Sequence, residues 1–306
     1  MISIKKYSSE FQEEWNDFIK NSKNGIFMFN RGFMDYHSDR FIDNSLMFYD
    51  NDELIALLPL SRHDNELRSH GGLTYGGFVT SEKMKQHKML ECFDVLKQYM
   101  QENGYTKLLY KSLPYVYYKQ PSQEDEYALF KNNANLVKIE PSTTINLSNP
   151  CKMPKGRKAQ ISRAKREGVI IEESNNFVKF IDLENLVLSE HHNTKAVHTA
   201  EELNLLKSRF ENEIQLRVAK YDNEIIAGTL LFVYENVVGL KTHDGGNTWK
   251  RINEVFDELG LPRTKEGQIL GWVYDPCSST CDNRVDFGPY FRFAKQTDDS
   301  ILLIFI

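Results

Sequence analysis

The sequence predicts an α/β fold built from two related modules, on three observations. Apolar residues recur at helical spacing in some segments and form short runs bounded by turn residues in others, so helices and strands alternate. Two hairpin segments resemble each other, since residues 49–56 are YDNDELIA and residues 221–228 are YDNEIIAG. The 306 residues, of which 41% are hydrophobic, suffice for two domains that each have a core.

The composition excludes several classes of protein. A charged fraction of 26% beside 41% hydrophobic residues is typical of a globular chain and not of a disordered one. No apolar run is long enough to cross a bilayer, and residues 1–15 lack the apolar core of a secretory signal. Four cysteines in a chain of this length do not form a disulfide framework, so we expect a cytoplasmic protein. The net charge of −5 argues against nucleic-acid binding by the protein as a whole.

In the first half of the chain, spacing and turn residues predict each element. Residues 11–19 place apolar side chains at helical spacing, and Asn24-Gly25 ends that helix. A hairpin follows, with a turn at residues 50–52 between two strands. The further predicted elements are a glycine-rich stretch over 69–78, a helix over 83–103 closed by Gly104, and strands over 106–113 and 137–147.

The second half repeats this order of elements. A helix is predicted over 177–191. Thr199 and Glu202 have the spacing of a capping box, which opens a helix that runs to about Phe210. A second hairpin covers residues 214–234, with its turn at Asp222-Asn223.

The most unusual segment is basic and lies between the two halves. Residues 152–166 contain seven basic side chains and no acidic one. We predict a short helix here, with Ile161 and Ala164 facing the core. Arginine and lysine at such a density suit phosphate or diphosphate groups, and a helix N-terminus adds N–H donors. The candidate cofactor-binding residues are Lys155, Arg157, Lys158 and Arg163. The alternative is a solvated basic face between the modules.

The glycine-rich stretch, SHGGLTYGGF, is a second candidate site. Glycines allow a backbone to approach a ligand closely, and His70 and Tyr75 are candidate substrate-binding groups beside them. The spacing matches neither a Walker loop nor a dinucleotide fingerprint. The alternative is a tight, bulged pair of strands.

Histidines near the end of the 177–191 helix are the third candidate. His192 is a candidate catalytic base, because a neutral imidazole can accept a proton from an attacking amine, and His198 is a candidate substrate-binding group. The alternative is that both are surface or capping residues. Cys277 and Cys281 lack the two further ligands that a zinc site needs, so we expect no metal.

Several ordered motifs resemble a known family. They are FMDYH at 33–37, DRF at 39–41, the glycine-rich stretch, HN at 192–193, VHT at 197–199 and AGT at 227–229. Together they resemble bacterial GNAT-family N-acetyltransferases of the FemAB-like tandem kind, over residues 1 to about 240. The resemblance implies a mixed sheet with flanking helices, acetyl-CoA as the acyl donor and a small-molecule amine as the acceptor. FemAB relatives use aminoacyl-tRNA instead, which would be the one nucleic-acid partner.

The resemblance ends near residue 240, which sets the predicted domains. These are a GNAT-like module over 1–148, a second module over 149–246 and an atypical C-terminal segment over 247–306. The last segment resembles a small domain of phage-associated proteins, which implies that the second module is truncated or fused. Residues 242–246 contain glycine at the place where such a module binds the diphosphate of CoA, but they lack the usual arginine. A helix is predicted over 247–260.

We therefore expect an N-acyltransferase that moves an acyl group from acyl-CoA to an amino group of a sugar or sugar nucleotide. The expected acyl group is acetyl. Three alternatives stay open at this point. They are an aminoacyl transferase acting on cell-wall precursors, an inactive scaffold, and a phage-associated fusion protein.

Overall fold

The computed structural model of the chain describes residues 1–139, 152–235 and 237–242, and the backbone of three strands at 144–146, 269–274 and 302–305. Contacts divide the chain into a first unit, Met1–Glu140 with Asp286–Ile306, and a second unit, Pro141–Val285. Each unit is described separately below. The predicted boundaries at 148/149 and 246/247 stay predictions.

The first unit contains four helices and ten strands within the residues described. In chain order they are β1 (Ile2–Lys6), α1 (Gln12–Asn21), α2 (Arg31–Met34), β2 (Ile42–Asp43), β3 (Leu46–Asp50), β4 (Glu53–Leu58), β5 (Ser61–His63), β6 (Glu66–Arg68), β7 (Val79–Thr80), α3 (Gln86–Glu102), β8 (Lys107–Tyr110), α4 (Glu124–Lys131), β9 (Asn135–Leu136) and, near the end of the chain, the strand Leu302–Phe305. Short 3-10 helices flank α1 and α2.

One bent hairpin connects the two sheets of this unit. The pairs β2–β5 and β3–β4 share one antiparallel register, and the amide of Asn44 donates to the carbonyl of Leu60 at 2.9 Å across the break. Residues 42–50 and 53–63 therefore form one long ladder. On its other side, β6 pairs with β5 and β7 pairs with β4. The glycine-rich residues 69–78 form the connection between β6 and β7.

Aromatic side chains fill the core of the first unit beneath this hairpin. The rings of Phe78, Phe93 and Tyr110 lie between 5.3 and 6.3 Å apart, and α3 packs its apolar face against them. The side chain of Trp15, a residue of α1, is fully buried, and its indole N–H donates to the carbonyl of Phe29 at 2.8 Å. The helical spacing of the apolar residues in 11–19 is thus explained by this burial.

The second unit contains the second of the two similar hairpins. Its elements in order are β10 (Thr144–Asn146), α5 (Lys155–Arg166), β11 (Ile170–Ser174), α6 (Phe177–His192), α7 (Ala200–Arg209), β12 (Ile214–Tyr221), β13 (Glu224–Val233), β14 (Val238–Thr242) and β15 (Ile269–Tyr274); Leu302–Phe305 of the first unit is β16. The strand order is β10-β15-β14-β13-β12-β11. Strands β11 to β14 are antiparallel, and β15 runs parallel to β14.

The two hairpins match more closely in structure than in the sequence alignment. Both turns have two residues with positive φ, Asn51-Asp52 and Asp222-Asn223. Both ladders shift register at the same distance before the turn. The structural match of the two turns therefore aligns residues 53–56 (ELIA) with residues 224–227 (EIIA). The sequence alignment, which superposes the two YDN motifs, differs from this structural alignment by one residue. The sequence predicts three residues in the first turn, whereas Asp50 pairs with Glu53 inside the ladder.

One predicted strand is wrong at residues 137–139. The sequence predicts a strand over 137–147, whereas β9 ends at Leu136 and β10 covers Thr144–Asn146. The side chains of Val137 and Ile139 are 56% and 66% exposed. Alternating β-branched residues favour a strand, but here they have no buried face to pack against.

The predicted capping box at the start of α7 is confirmed. The amide of Glu202 donates to the hydroxyl of Thr199 at 3.2 Å, and the Glu202 carboxylate accepts from the Thr199 amide at 3.1 Å. We expect Thr199→Ala to lower the free energy of unfolding by about 1 kcal/mol in urea denaturation, because the first turn loses an acceptor. Ser189→Ala, on the exposed face of α6, is the control and should change stability by less than about 0.5 kcal/mol. Equal stability of the two variants would contradict the prediction.

Candidate functional site

Helix α5 presents the basic segment to solvent. It begins at Lys155 behind Pro154, whose fixed φ of −58° suits a helix start, and it ends at Arg166 before Gly168, which has φ +87°. None of its 12 residues is fully buried. The prediction that Ile161 and Ala164 face the core is confirmed only in part, since both are half-buried.

The exposed residues of α5 form one cationic face. Arg157 is half-buried and lies at the same side of the helix as Ile161 and Ala164. The exposed cations follow on the remaining sides: Lys155, Lys158, Arg163, Lys165 and Arg166. Arg163 donates to Glu167 at 2.7 Å, an exposed i,i+4 pair that constrains it weakly. Three of the four predicted cofactor-binding residues therefore share this face, and Arg157 does not.

The glycine-rich segment 69–78 is held in place by specific bonds within the first unit. Ser69 follows β6, and its amide donates to Leu109 on the parallel strand β8 at 2.9 Å. Beyond that point the two strands separate, and the Ser69 hydroxyl accepts from the Lys111 amide at 3.0 Å. At the far end, the amide of Phe78 donates to the Tyr110 hydroxyl at 2.7 Å. Residues 69–78 therefore lie between β6, which ends at Arg68, and β7, which begins at Val79, without forming a strand of their own.

Two glycines in this segment are needed for close packing. A Cβ at Gly72 would lie 2.3 Å from Nε2 of His37, and a Cβ at Gly76 would lie 2.2 Å from the carbonyl oxygen of Ser69. The backbone therefore approaches other parts of the protein at these positions, and no ligand is needed to explain why glycine stands there.

His70 and Tyr75 are both buried inside the first unit. His70 is 2% exposed and stacks on His37 with ring centroids 5.3 Å apart. Burial, followed by the positive charges of His37, Arg31, Lys111 and His63, holds the pKa of His70 well below its ordinary value. Tyr75 is 8% exposed, and its hydroxyl lies 3.2 Å from that of Tyr117. Their contact with a substrate stays a prediction.

The two candidate histidines of the second unit lie at opposite ends of one connection. His192 is the last residue of α6, and its side chain lies outside the described residues. His198 precedes the N-cap of α7, is 13% exposed, and places Nδ1 3.7 Å from the carboxylate of Glu202. The residue that caps α7 is Thr199 and not His198. The catalytic role of His192 and the substrate-binding role of His198 stay predictions.

Sequence reasoning missed two buried polar groups in the first unit. Arg31 is 3% exposed, forms ion pairs with Asp35 and Asp43, and lies 3.8 Å above the ring of Tyr7. The available signal was a basic residue at position 31 between the aromatic residues of 27–29 and 33–36.

The second missed group is a buried tyrosine–carboxylate pair. The hydroxyl of Tyr110 donates to Asp125 at 2.6 Å, and burial raises the pKa of both groups. Nothing in the sequence links these two positions, because they meet only in the folded unit, where Asp125 at the start of α4 reaches Tyr110 on β8.

The part of the second unit that follows β13 is only partly described. Strands β14 and β15 pair from Leu240↔Trp272 to Thr242↔Tyr274. Residues 243–246 of the glycine-bearing stretch and the predicted helix over 247–260 lie outside the described residues. So do Cys151, Cys277 and Cys281.

The described residues contain neither a metal-binding cluster nor a membrane-spanning helix. No three histidine, cysteine or acidic side chains there are placed to hold a metal ion. No helix in the same part of the chain is long and apolar enough to cross a membrane.

Comparison with known proteins identifies the fold. The model of a family of unknown function, DUF6353, matches residues 246–306, and no curated protein sequence matches the chain. Among solved structures, FemX aligns with a TM-score of 0.57 at 9% identity, over 90% of this chain and 91% of FemX. L-PGS from Bacillus licheniformis aligns with a TM-score of 0.55 at 13% identity, over 92% of this chain and 83% of that one.

A third structure agrees with these two. The C-terminal domain of a putative lysylphosphatidylglycerol synthetase from Agrobacterium fabrum aligns with a TM-score of 0.51 at 11% identity, over 86% of this chain and 78% of its own. In both units of the present chain, antiparallel strands joined by a matching hairpin are followed by a parallel strand. The chain therefore has a FemAB-like tandem GNAT fold.

Proposed function

We propose that the protein is an acyltransferase that takes an acyl group from an anionic carrier and transfers it to an amine. The observation that supports this most directly is the cationic face of α5, which stands on a module of the GNAT fold. Fold alone does not assign an activity, so the proposal depends on this face and on the family resemblance of the motifs. The carrier is acetyl-CoA and the acceptor is the amino group of a sugar or sugar nucleotide.

In this proposal, the residues divide into carrier-binding and proton-transfer roles. Lys155, Lys158 and Arg163 bind the phosphates of the carrier, and the side chain of His192 accepts a proton from the acceptor amine. The neutral nitrogen attacks the acyl carbon, the C–N bond forms and the C–S bond of the thioester breaks. The sulfur takes up the proton that the nitrogen loses and leaves as the thiol. A backbone N–H stabilises the charge that develops on the carbonyl oxygen, and positioning supplies much of the rate.

A second candidate function is aminoacyl transfer from aminoacyl-tRNA, and one observation favours it. The 12 residues of α5 span about 18 Å, and their exposed cations are spread over that length. Successive phosphates of a nucleic acid can occupy such a face, whereas one diphosphate contacts only part of it. The likeness to FemX and to a putative lysylphosphatidylglycerol synthetase points the same way. In this reaction the bond that breaks is the aminoacyl ester.

Thermal stability in the presence of each donor tests the proposal. A ligand present at about 100 times its dissociation constant adds about 2.7 kcal/mol to the native state, which is a readily measured shift in melting temperature. We expect millimolar acetyl-CoA to raise the melting temperature, and micromolar aminoacyl-tRNA to raise it instead if the second candidate is right. Deacylated tRNA and desulfo-CoA serve as controls for the acyl group. If neither donor shifts the melting temperature, the proposal is wrong and an inactive scaffold remains.

A further inference from the structure

Three histidines surround the start of the glycine-rich segment 69–78. The imidazole of His37 lies 3.1 Å from the carbonyl oxygen of Gly72, so its Nε2 is the donor. The hydroxyl of Ser61 accepts from the amide of Gly71 at 2.8 Å and lies 3.0 Å from Nε2 of His63. His70 stacks on His37 with an interplanar angle of 11°. Two successive residues of the segment, Gly71 through its amide and Gly72 through its carbonyl, are thus held by bonds that end on this cluster.

The groups that act most strongly on His70 disfavour an additional proton on its ring. Its Nδ1 is buried without a hydrogen-bond partner in the described part of the chain. The charged groups that act most strongly on this ring are cationic or become so: His37, His63 on β5, Arg31 on α2 and Lys111 after β8. Arg31 is itself paired with Asp35 and Asp43. A proton on His70 would therefore create a buried cation beside other cations.

His63 faces a mixed set of charges. Burial and the charge of Arg68 lower the pKa of His63, while Glu66 and Asp64 act in the opposite direction. It is therefore the second histidine of the cluster that the folded state keeps neutral.

The sign of the pH dependence follows from these directions. The pKa of His70 in the folded state lies below its ordinary value, so the folded state binds fewer protons than the opened state. The stabilisation that this provides is complete above the ordinary histidine pKa of about 6.5, and it is lost as the pH falls from there toward the folded-state value.

We propose that residues 70–77 act as an acid-released latch, which His70 and the groups bonded around it hold closed at neutral pH and which opens in mild acid while the remainder of the first unit stays folded. The release is local because Ser69 stays anchored by its amide bond to Leu109 and Phe78 by its ring in the core. Between them, Gly71 and Gly72 are bonded by the side chains of Ser61 and His37 and not by a strand ladder. The backbone of the latch is already strained at His70, where φ is +46°. This inference does not depend on the proposed transferase activity.

Hydrogen exchange of the full-length protein at about pH 7.5 and pH 5.5, corrected for intrinsic rates, tests the latch. The reporters are the amides of Gly71 and Leu73, which donate to the Ser61 hydroxyl and to the His70 carbonyl. We expect their protection to fall at least about tenfold relative to amides of α3, since one proton taken up on opening gives a factor of ten per pH unit below about 6.5.

Two variants and a matched control complete the test. His70→Asn cannot titrate and tolerates positive φ, so its segment should keep its protection at pH 5.5. His87→Asn removes an exposed histidine on α3 and should behave like the wild type. If His70→Asn does not fold at pH 7.5, His63→Gln should reduce the pH response instead. Loss of protection that is equal in α3 and the segment, or that persists in the folded variants, would overturn the proposal.

Discussion

Replacing Lys155, Lys158 and Arg163 together by glutamine is expected to weaken donor binding at least about tenfold, which is about 0.5 kcal/mol for each cation removed. All three side chains are exposed on one face of α5, and Lys155 and Lys158 have no ion-pair partner within the described ranges. Binding of tRNA is measured by fluorescence anisotropy at several salt concentrations, and binding of acetyl-CoA by calorimetry. For tRNA, the slope of log K against log salt should fall by about 2 to 3.

A control variant separates the position of the charges from their number. Lys20→Gln, Lys85→Gln and Lys131→Gln together also remove three positive charges, from exposed positions in the first unit. We expect this variant to bind each donor as the wild type does. The melting temperature of both triple variants should stay within roughly 3 °C of the wild type, because exposed charges contribute little to stability. If the α5 variant and the control lose affinity equally, the cationic face has no specific role.

Gly76→Ala is expected to destabilise the first unit by at least about 3 kcal/mol. The added Cβ would lie 2.2 Å from the carbonyl oxygen and 2.6 Å from the Cβ of Ser69. Ser69 cannot move away, because its amide bonds Leu109 and its hydroxyl bonds the Lys111 amide. Urea denaturation followed by tryptophan fluorescence measures the effect, since Trp15 lies in the core of this unit.

Gly104→Ala provides the comparison that isolates this clash. Gly104 has φ +72° after α3, and nothing lies within 4 Å of the position that an added Cβ would take. Only the left-handed backbone conformation opposes alanine there, and we expect a cost of about 1 kcal/mol. A Gly76→Ala variant that is no less stable than Gly104→Ala would show that segment 69–78 is not packed as described.

Local chemistry in the sequence predicted many elements correctly. Helix α6 and the capping box of α7 follow from spacing and from the reach of one threonine hydroxyl, which are properties of a few adjacent residues. The hairpin turns follow from Asn and Asp, which tolerate positive φ. The strand over 137–147 failed because β-branched residues favour a strand only where a partner and a buried face are present.

The candidate sites were less accessible to sequence reasoning. The cationic face could be predicted because a run of basic residues on a short helix must leave most of them in solvent. Burial of His70 and Tyr75 could not, since it arises from contacts with His37 and Tyr117, which are 33 and 42 positions away in the chain. The hydrogen bond of Tyr110 to Asp125 is likewise a product of packing between two elements.

The sequence by itself determined that this is a globular α/β chain with a repeated hairpin and one uniformly basic segment, because composition, periodicity and turn residues act over a few neighbouring positions. Only the tertiary structure decided the register that relates the two hairpins and the parallel strand that follows each antiparallel set. It also decided that His37 and His63 lie beside the start of the glycine-rich segment, next to His70. These features depend on which distant backbones meet, and pairing over long separations is set by the burial of the whole unit rather than by any local pattern.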